Sequence, residues 1–114
     1  MFDLIKIICS IFRIGPHGTY GFSAPEVHLI PHKASSCCTY KADVWSIGAI
    51  LYWINYGDSP RYDHRKCCHH PPIGIPPCKD SNIIDLLRHT IQMDYRHRPD
   101  PNWLIQHRFT RSFF

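Results

Sequence analysis

Hydrophobic and polar positions alternate with helical spacing over three stretches of the chain. Residues 41–56, KADVWSIGAILYWINY, carry Val44, Trp45, Ile47, Ile50, Leu51, Trp53 and Ile54, which leaves few polar positions on any side. A helix that is apolar almost all round belongs in the middle of a core. Asp43 falls in the first turn of this expected helix, where a negative charge suits the helix dipole. Gly57 follows the last turn and can take the left-handed cap. Residues 82–93 predict an amphipathic helix, capped by Ser81, with Ile84, Leu87 and Ile91 as its apolar stripe. A turn through Asp94–Pro99 follows. Asp100 then caps a last helix that opens with Pro101 and carries Trp103, Leu104 and Ile105.

The remainder is punctuated. Gly15, Pro16, Gly18, Gly21 and Pro25 break any regular element within residues 15–40, although a short helical turn can begin at Pro25–Glu26. Pro60, Pro71, Pro72, Pro76 and Pro77 make residues 58–80 mostly loop, with one short helix expected around 62–69. Residues 1–14, MFDLIKIICSIFRI, are apolar but carry Asp3, Lys6 and Arg13. They lack the clean apolar stretch and small-residue cleavage site of a signal peptide, and read as a buried strand, a buried helix or a non-native leader. No strand pattern follows residue 14, and no internal repeat is present. The expected fold is mainly α: a central buried helix with closing helices packed on it. Residues 1–14 form a leader, 15–110 the domain and 111–114 a tail.

Composition narrows the function classes. At 114 residues, with 44% hydrophobic and 19% charged residues, the chain is globular in character and supports one modest core. No apolar run approaches the roughly 20 residues of a membrane span. A net charge of +4 is too diffuse to mark a nucleic-acid surface. Partners among nucleic acids and membranes are therefore not expected. Four of the six cysteines stand as adjacent pairs, which strains a bridge between them and favours a reducing, intracellular compartment, cytoplasmic or nuclear. Cys67-Cys68-His69-His70, with Cys78 beyond, offers soft ligands. Zinc sites space paired ligands by two to four residues, whereas these are adjacent, so a surface loop is the better reading and no metal is expected.

Three segments, in order, resemble the second half of a protein kinase catalytic domain. Gly18-Thr19-Tyr20-Gly21-Phe22-Ser23-Ala24-Pro25-Glu26 looks like the end of the activation segment. Lys41-Ala42-Asp43-Val44-Trp45-Ser46-Ile47-Gly48 looks like the start of the large buried helix of the C-terminal lobe. Asp94-Tyr95-Arg96-His97-Arg98-Pro99 and Gln106-His107-Arg108-Phe109 resemble the closing helices. Gly18-Thr19 ahead of Ala24-Pro25-Glu26 is the serine/threonine form. A finer likeness is to the dual-specificity monopolar-spindle checkpoint kinases, through Leu51-Tyr52 and Tyr56-Gly57 within Ile50–Pro60, the proline-containing Pro72–Pro77, and the 17 positions that separate Glu26 from Asp43.

The resemblance implies roles for matched residues. Gly18, Thr19, Phe22, Ala24 and Pro25 would form the substrate side. Thr19 would bond the catalytic aspartate and lysine of a complete kinase, or else is a loop hydroxyl satisfied by backbone or water. Phe22 and Ala24 would line the pocket for the residue after the phosphoacceptor, or else simply pack. Glu26 would pair with Arg98, a structural tie that needs no nucleotide. Asp43, Trp45 and Gly48 would be structural. Asp43 would hold backbone amides of the catalytic loop, or else serve only as a first-turn acid.

The family uses ATP and magnesium, through a Gly-rich loop, a lysine paired with a glutamate, a catalytic aspartate and a second aspartate for the metal. None of these motifs occurs here. Asp63-His64-Arg65 has the wrong order for a catalytic H-R-D, and no D-F-G is present. Glu26 is the only glutamate. The chain is therefore expected to lack catalytic residues and bound cofactor, to be inactive alone, and to meet a protein or peptide substrate or a kinase partner. A non-catalytic interaction module built on the same surface is the alternative. Marginal stability is expected, since the apolar central helix demands cover on several sides.

Overall fold

A computed structural model describes residues 21–26, 36–63 and 68–111, with side chains omitted for 36–39. The expected leader, Gly18, Thr19, residues 64–67 of the expected helix at 62–69 and residues 112–114 of the expected tail lie outside the described residues. Among the described residues the helices are, in order, α1 (Ser36–Tyr56), α2 (Ser81–Thr90), α3 (Pro101–Gln106) and α4 (Arg108–Arg111), with a 3₁₀ turn at Tyr95–His97 between α2 and α3. No strand occurs among the described residues, so the architecture is mainly α with α1 at its centre.

α1 begins five residues earlier than its apolar pattern predicts. Residues 36–40 contain neither glycine nor proline, so nothing there stops the helix. Asp43 consequently lies in the second turn, and the first-turn dipole role expected for it is corrected. The far end is as expected: Gly57 takes φ +74° and its N–H donates to the Trp53 carbonyl at 2.7 Å.

α1 carries two cores. Trp45, Ala49 and Tyr52 pack with Ala24, Cys68, Leu87 and Ile91. Val44 packs with Leu86 and Leu104. The adjacent residues Leu86 and Leu87 of α2 therefore serve different clusters, and Leu86 falls outside the stripe predicted for this helix. The expectation of burial on all sides of α1 is corrected: Ile54 is 65% exposed and Trp53 lies near the surface. An apolar groove of about 180 Å³ runs beside it, lined in part by Ile47, Leu51, Ile54, Leu86 and Phe109.

Caps follow local chemistry. Asp80, not Ser81, caps α2, accepting from the Asn82 N–H at 2.9 Å. α2 ends at Thr90, and the buried Ile91 is its C-cap. Asp94 accepts from the Arg96 N–H to open the 3₁₀ turn. Asp100 caps α3 as expected, accepting from the Trp103 N–H at 3.0 Å. Two tyrosines of α1 hold the loop that follows. The Tyr52 hydroxyl donates to the His70 carbonyl at 2.6 Å, and the Tyr56 hydroxyl accepts from the Cys78 N–H at 3.2 Å. Burial first, then the neighbouring Tyr56 and Asp58, push the Tyr52 phenol up to about 12, so it stays a donor at neutral pH. Among the described residues no helix is long and apolar enough to cross a membrane.

Candidate functional site

The site is built around Arg98, whose side chain is fully buried. Its guanidinium has five N–H donors, and each finds an acceptor. Nη1 donates to Glu26 Oε2 at 2.8 Å and to the Lys41 carbonyl at 2.9 Å. Nη2 donates to Glu26 Oε1 at 2.8 Å and to the Met93 carbonyl at 3.3 Å. Nε donates to the Gln92 carbonyl at 2.8 Å. The Lys41 ammonium returns a bond to the Arg98 carbonyl. The guanidinium carbon also lies 5.3 Å from the centre of the Trp45 ring. One arginine thus joins the loop carrying Glu26, the start of α1 and the end of α2. A buried arginine with a bidentate carboxylate and every donor satisfied is the arrangement that tolerates removal from water.

Beside this tie runs the segment 21–26. Gly21 takes φ +87°, where a side chain is strained, and a Cβ there would stand 2.5 Å from Ser59 Oγ. Trp45 Nε1 donates to the Gly21 carbonyl at 2.9 Å. The Tyr62 hydroxyl accepts from the Gly21 N–H at 3.0 Å and donates to the Ser23 carbonyl at 2.5 Å. Phe22 is half-buried against the first core, Ala24 is wholly enclosed in it, and Pro25 is buried. Pro25 and Glu26 stand in helical conformation, as their sequence suggests.

Gly48 is set by close approach. A Cβ there would lie 2.1 Å from Thr90 Oγ1 and 2.7 Å from Thr90 Cβ, so α1 and α2 cross at a point that only hydrogen can occupy. Asp43 is half-buried on α1.

Of the residues singled out from sequence, the structure brings Phe22, Ala24, Pro25, Glu26, Trp45 and Arg98 together, and it puts Gly48 at the α1–α2 contact. Lys41 and Tyr62 join them. Lys41 sits inside a matched motif, but no local pattern foretells its bond to the Arg98 carbonyl. Tyr62 stands in a proline-punctuated stretch, where an aromatic residue two positions after the buried Pro60 is the only signal.

A second polar cluster ties α2 to the junction of α3 and α4. His107 Nδ1 accepts from the Phe109 N–H at 3.1 Å, which leaves the ring proton on Nε2, 2.9 Å from Asp85 Oδ2. Arg88 donates to Asp85 Oδ1 at 2.9 Å. Burial alone would push the Asp85 carboxyl up. The bonds from His107 and Arg88, with the charges of His89 and His107, outweigh it and hold the group below its ordinary value.

Among the described residues no three His, Cys, Asp or Glu groups come together to hold a metal ion. The only glutamate has both oxygens on Arg98. Cys67 lies outside the described residues, while Cys68 is buried with its thiol donating to the Asp63 carbonyl at 3.4 Å.

The likeness to kinases extends beyond motifs. The chain is 29% identical over 105 residues to serine/threonine-protein kinase tousled-like 1 of Caenorhabditis elegans, a match covering 82% of this chain and 11% of that protein. It is 39% identical over 64 residues to serine/threonine-protein kinase RCK2 of Saccharomyces cerevisiae, covering 56% of this chain and 10% of that one. It is 26% identical over 111 residues to dual specificity protein kinase Ttk of Danio rerio, covering 88% of this chain and 11% of that one. The chain thus spans 10–11% of the length of these relatives. No protein-family profile matches the chain, and no solved structure matches it. What these relatives and the mainly helical architecture support together is a protein-kinase-like chain.

Proposed function

We propose that this chain holds a serine- or threonine-containing polypeptide against the Gly21–Glu26 face of a kinase-like helical lobe, and transfers no phosphoryl group by itself. The observation that carries the reading is the Glu26–Arg98 pair, which fastens the end of the 21–26 segment to the core through two bonds of 2.8 Å. A loop held this firmly offers a partner a preformed surface, so binding need not meet the cost of ordering it. Phe22 is the half-buried side chain of that loop and supplies apolar area for contact. Inactivity rests on the sequence, which contains no Gly-rich nucleotide loop of kinase form, no H-R-D and no D-F-G. The finer likeness to dual-specificity checkpoint kinases is supported by Leu51-Tyr52 and Tyr56-Gly57 and by the zebrafish relative. An intracellular location fits the same reading.

Fluorescence anisotropy with a labelled serine-containing peptide tests it. The expected result is saturable binding that weakens about tenfold in Phe22→Ala, the loss of one buried aromatic contact. Affinity unchanged by that substitution would sink the substrate-side reading.

A further inference from the structure

The residues flanking Phe22 answer to one phenol. The Tyr62 oxygen accepts from the Gly21 N–H at 3.0 Å and donates its proton to the Ser23 carbonyl at 2.5 Å. These bonds join positions 41 and 39 residues apart. The Tyr62 ring is itself anchored, 5.7 Å from the Trp45 ring at a 46° tilt, and packs against the first core. Trp45 holds the Gly21 carbonyl from the other side. Gly21 is therefore fixed at both its N–H and its carbonyl while holding a backbone conformation that glycine leaves and re-enters at little steric cost. Without the hydroxyl, the Gly21 N–H and the Ser23 carbonyl lose their partners in a half-buried setting and are driven towards water. The peptide planes on either side of Phe22 would then turn.

We propose that Tyr62 is the positioning residue of the 21–26 loop: its hydroxyl sets the direction of Phe22, and with it the apolar surface that the loop offers to a bound peptide. The peptide half of this statement rests on the function proposed above; the conformational half stands without it. Tyr62 lies outside every kinase-like motif of the sequence. Its part in the site follows from the two hydrogen bonds alone.

Tyr62→Phe keeps the ring and removes the hydroxyl. Amide hydrogen exchange by NMR on the full 114-residue chain, read at Gly21 and at Ala49 and Tyr52 in α1, reports the clamp directly. In the wild type Gly21 is expected to be protected. In Tyr62→Phe it should exchange at least tenfold faster while the α1 amides keep their rates, and the labelled serine-containing peptide should bind severalfold more weakly. Fast exchange of Gly21 in the wild type overturns the clamp even if the variant fails to fold. Unchanged Gly21 exchange in the variant, or equal loss at Gly21 and α1, overturns it as well. A wild-type chain that protects Gly21 but binds no peptide overturns the proposed function and leaves the Tyr62 clamp standing.

Discussion

Arg98 and Glu26 stand 72 positions apart and meet through two parallel bonds of 2.8 Å, with the arginine side chain fully enclosed. The same guanidinium closes three backbone carbonyls around it. The pair is thus the point at which loop, central helix and closing turn become one body.

Removing either partner should be severe. Arg98→Ala leaves Glu26 and three carbonyls without their donors, and Glu26→Gln leaves a buried guanidinium without its counter-charge. Each is expected to cost about 3–5 kcal/mol. Arg98→Lys should fare little better, since an ammonium cannot span two carboxylate oxygens and three carbonyls. Urea unfolding checks this. A loss below about 1 kcal/mol would mark the pair as no stronger than a surface one.

Gly48→Ala should destabilise by about 1–3 kcal/mol through overpacking against Thr90. The added Cβ would meet Thr90 Oγ1 at 2.1 Å, so α2 must shift. In a Thr90→Ala background the penalty should shrink, because the oxygen is gone. A double-mutant cycle measures that coupling. Equal penalties in both backgrounds would show that the Thr90 hydroxyl is not what the added Cβ meets.

Asp85 should make the fold sensitive to strong acid. Its carboxyl is held below the ordinary 3.8, so the folded state binds fewer protons than the unfolded chain near that pH. Its contribution is present above the unfolded value and is lost as pH falls through the folded one. The stability gap between wild type and Asp85→Asn should therefore narrow as pH drops below about 4. A gap independent of pH over that range contradicts the His107–Asp85 tie.

His69 should act in a milder window. Burial first, then the positive charges of His70 and Arg88, lower its imidazole from 6.5. Its Nδ1 is enclosed and finds no hydrogen-bond partner among the described residues. The folded state prefers the neutral ring, so this group's contribution is full above pH 6.5 and falls as pH drops through the folded midpoint. Proton NMR should give a midpoint below 6.5. One at or above that value contradicts the burial.

Much of this fold was legible in local chemistry. Gly57 and Asp100 mark helix ends because cap preferences act over one turn. The meeting of Glu26 with Arg98 came from motif resemblance, since no periodicity links residues so far apart. Local reasoning failed where two answers were equally good. Asp80 and Ser81 are both cap residues, and the backbone chose the first. Leu86 left the predicted stripe because α2 serves two cores, which a single apolar face does not describe. Tyr62 was hidden because its bonds reach back some 40 residues from a loop without pattern. The apolar flank of α1 that suggested marginal stability is the side where Ile54 and the groove stand open.

The most direct test of the account is an NMR titration of the 114-residue chain, first with a serine-containing peptide and then with magnesium–ATP. The account predicts that peptide shifts the resonances of residues 21–26, that nucleotide shifts none, and that no phosphoserine forms. Nucleotide-induced shifts followed by phosphorylation of the peptide would contradict it.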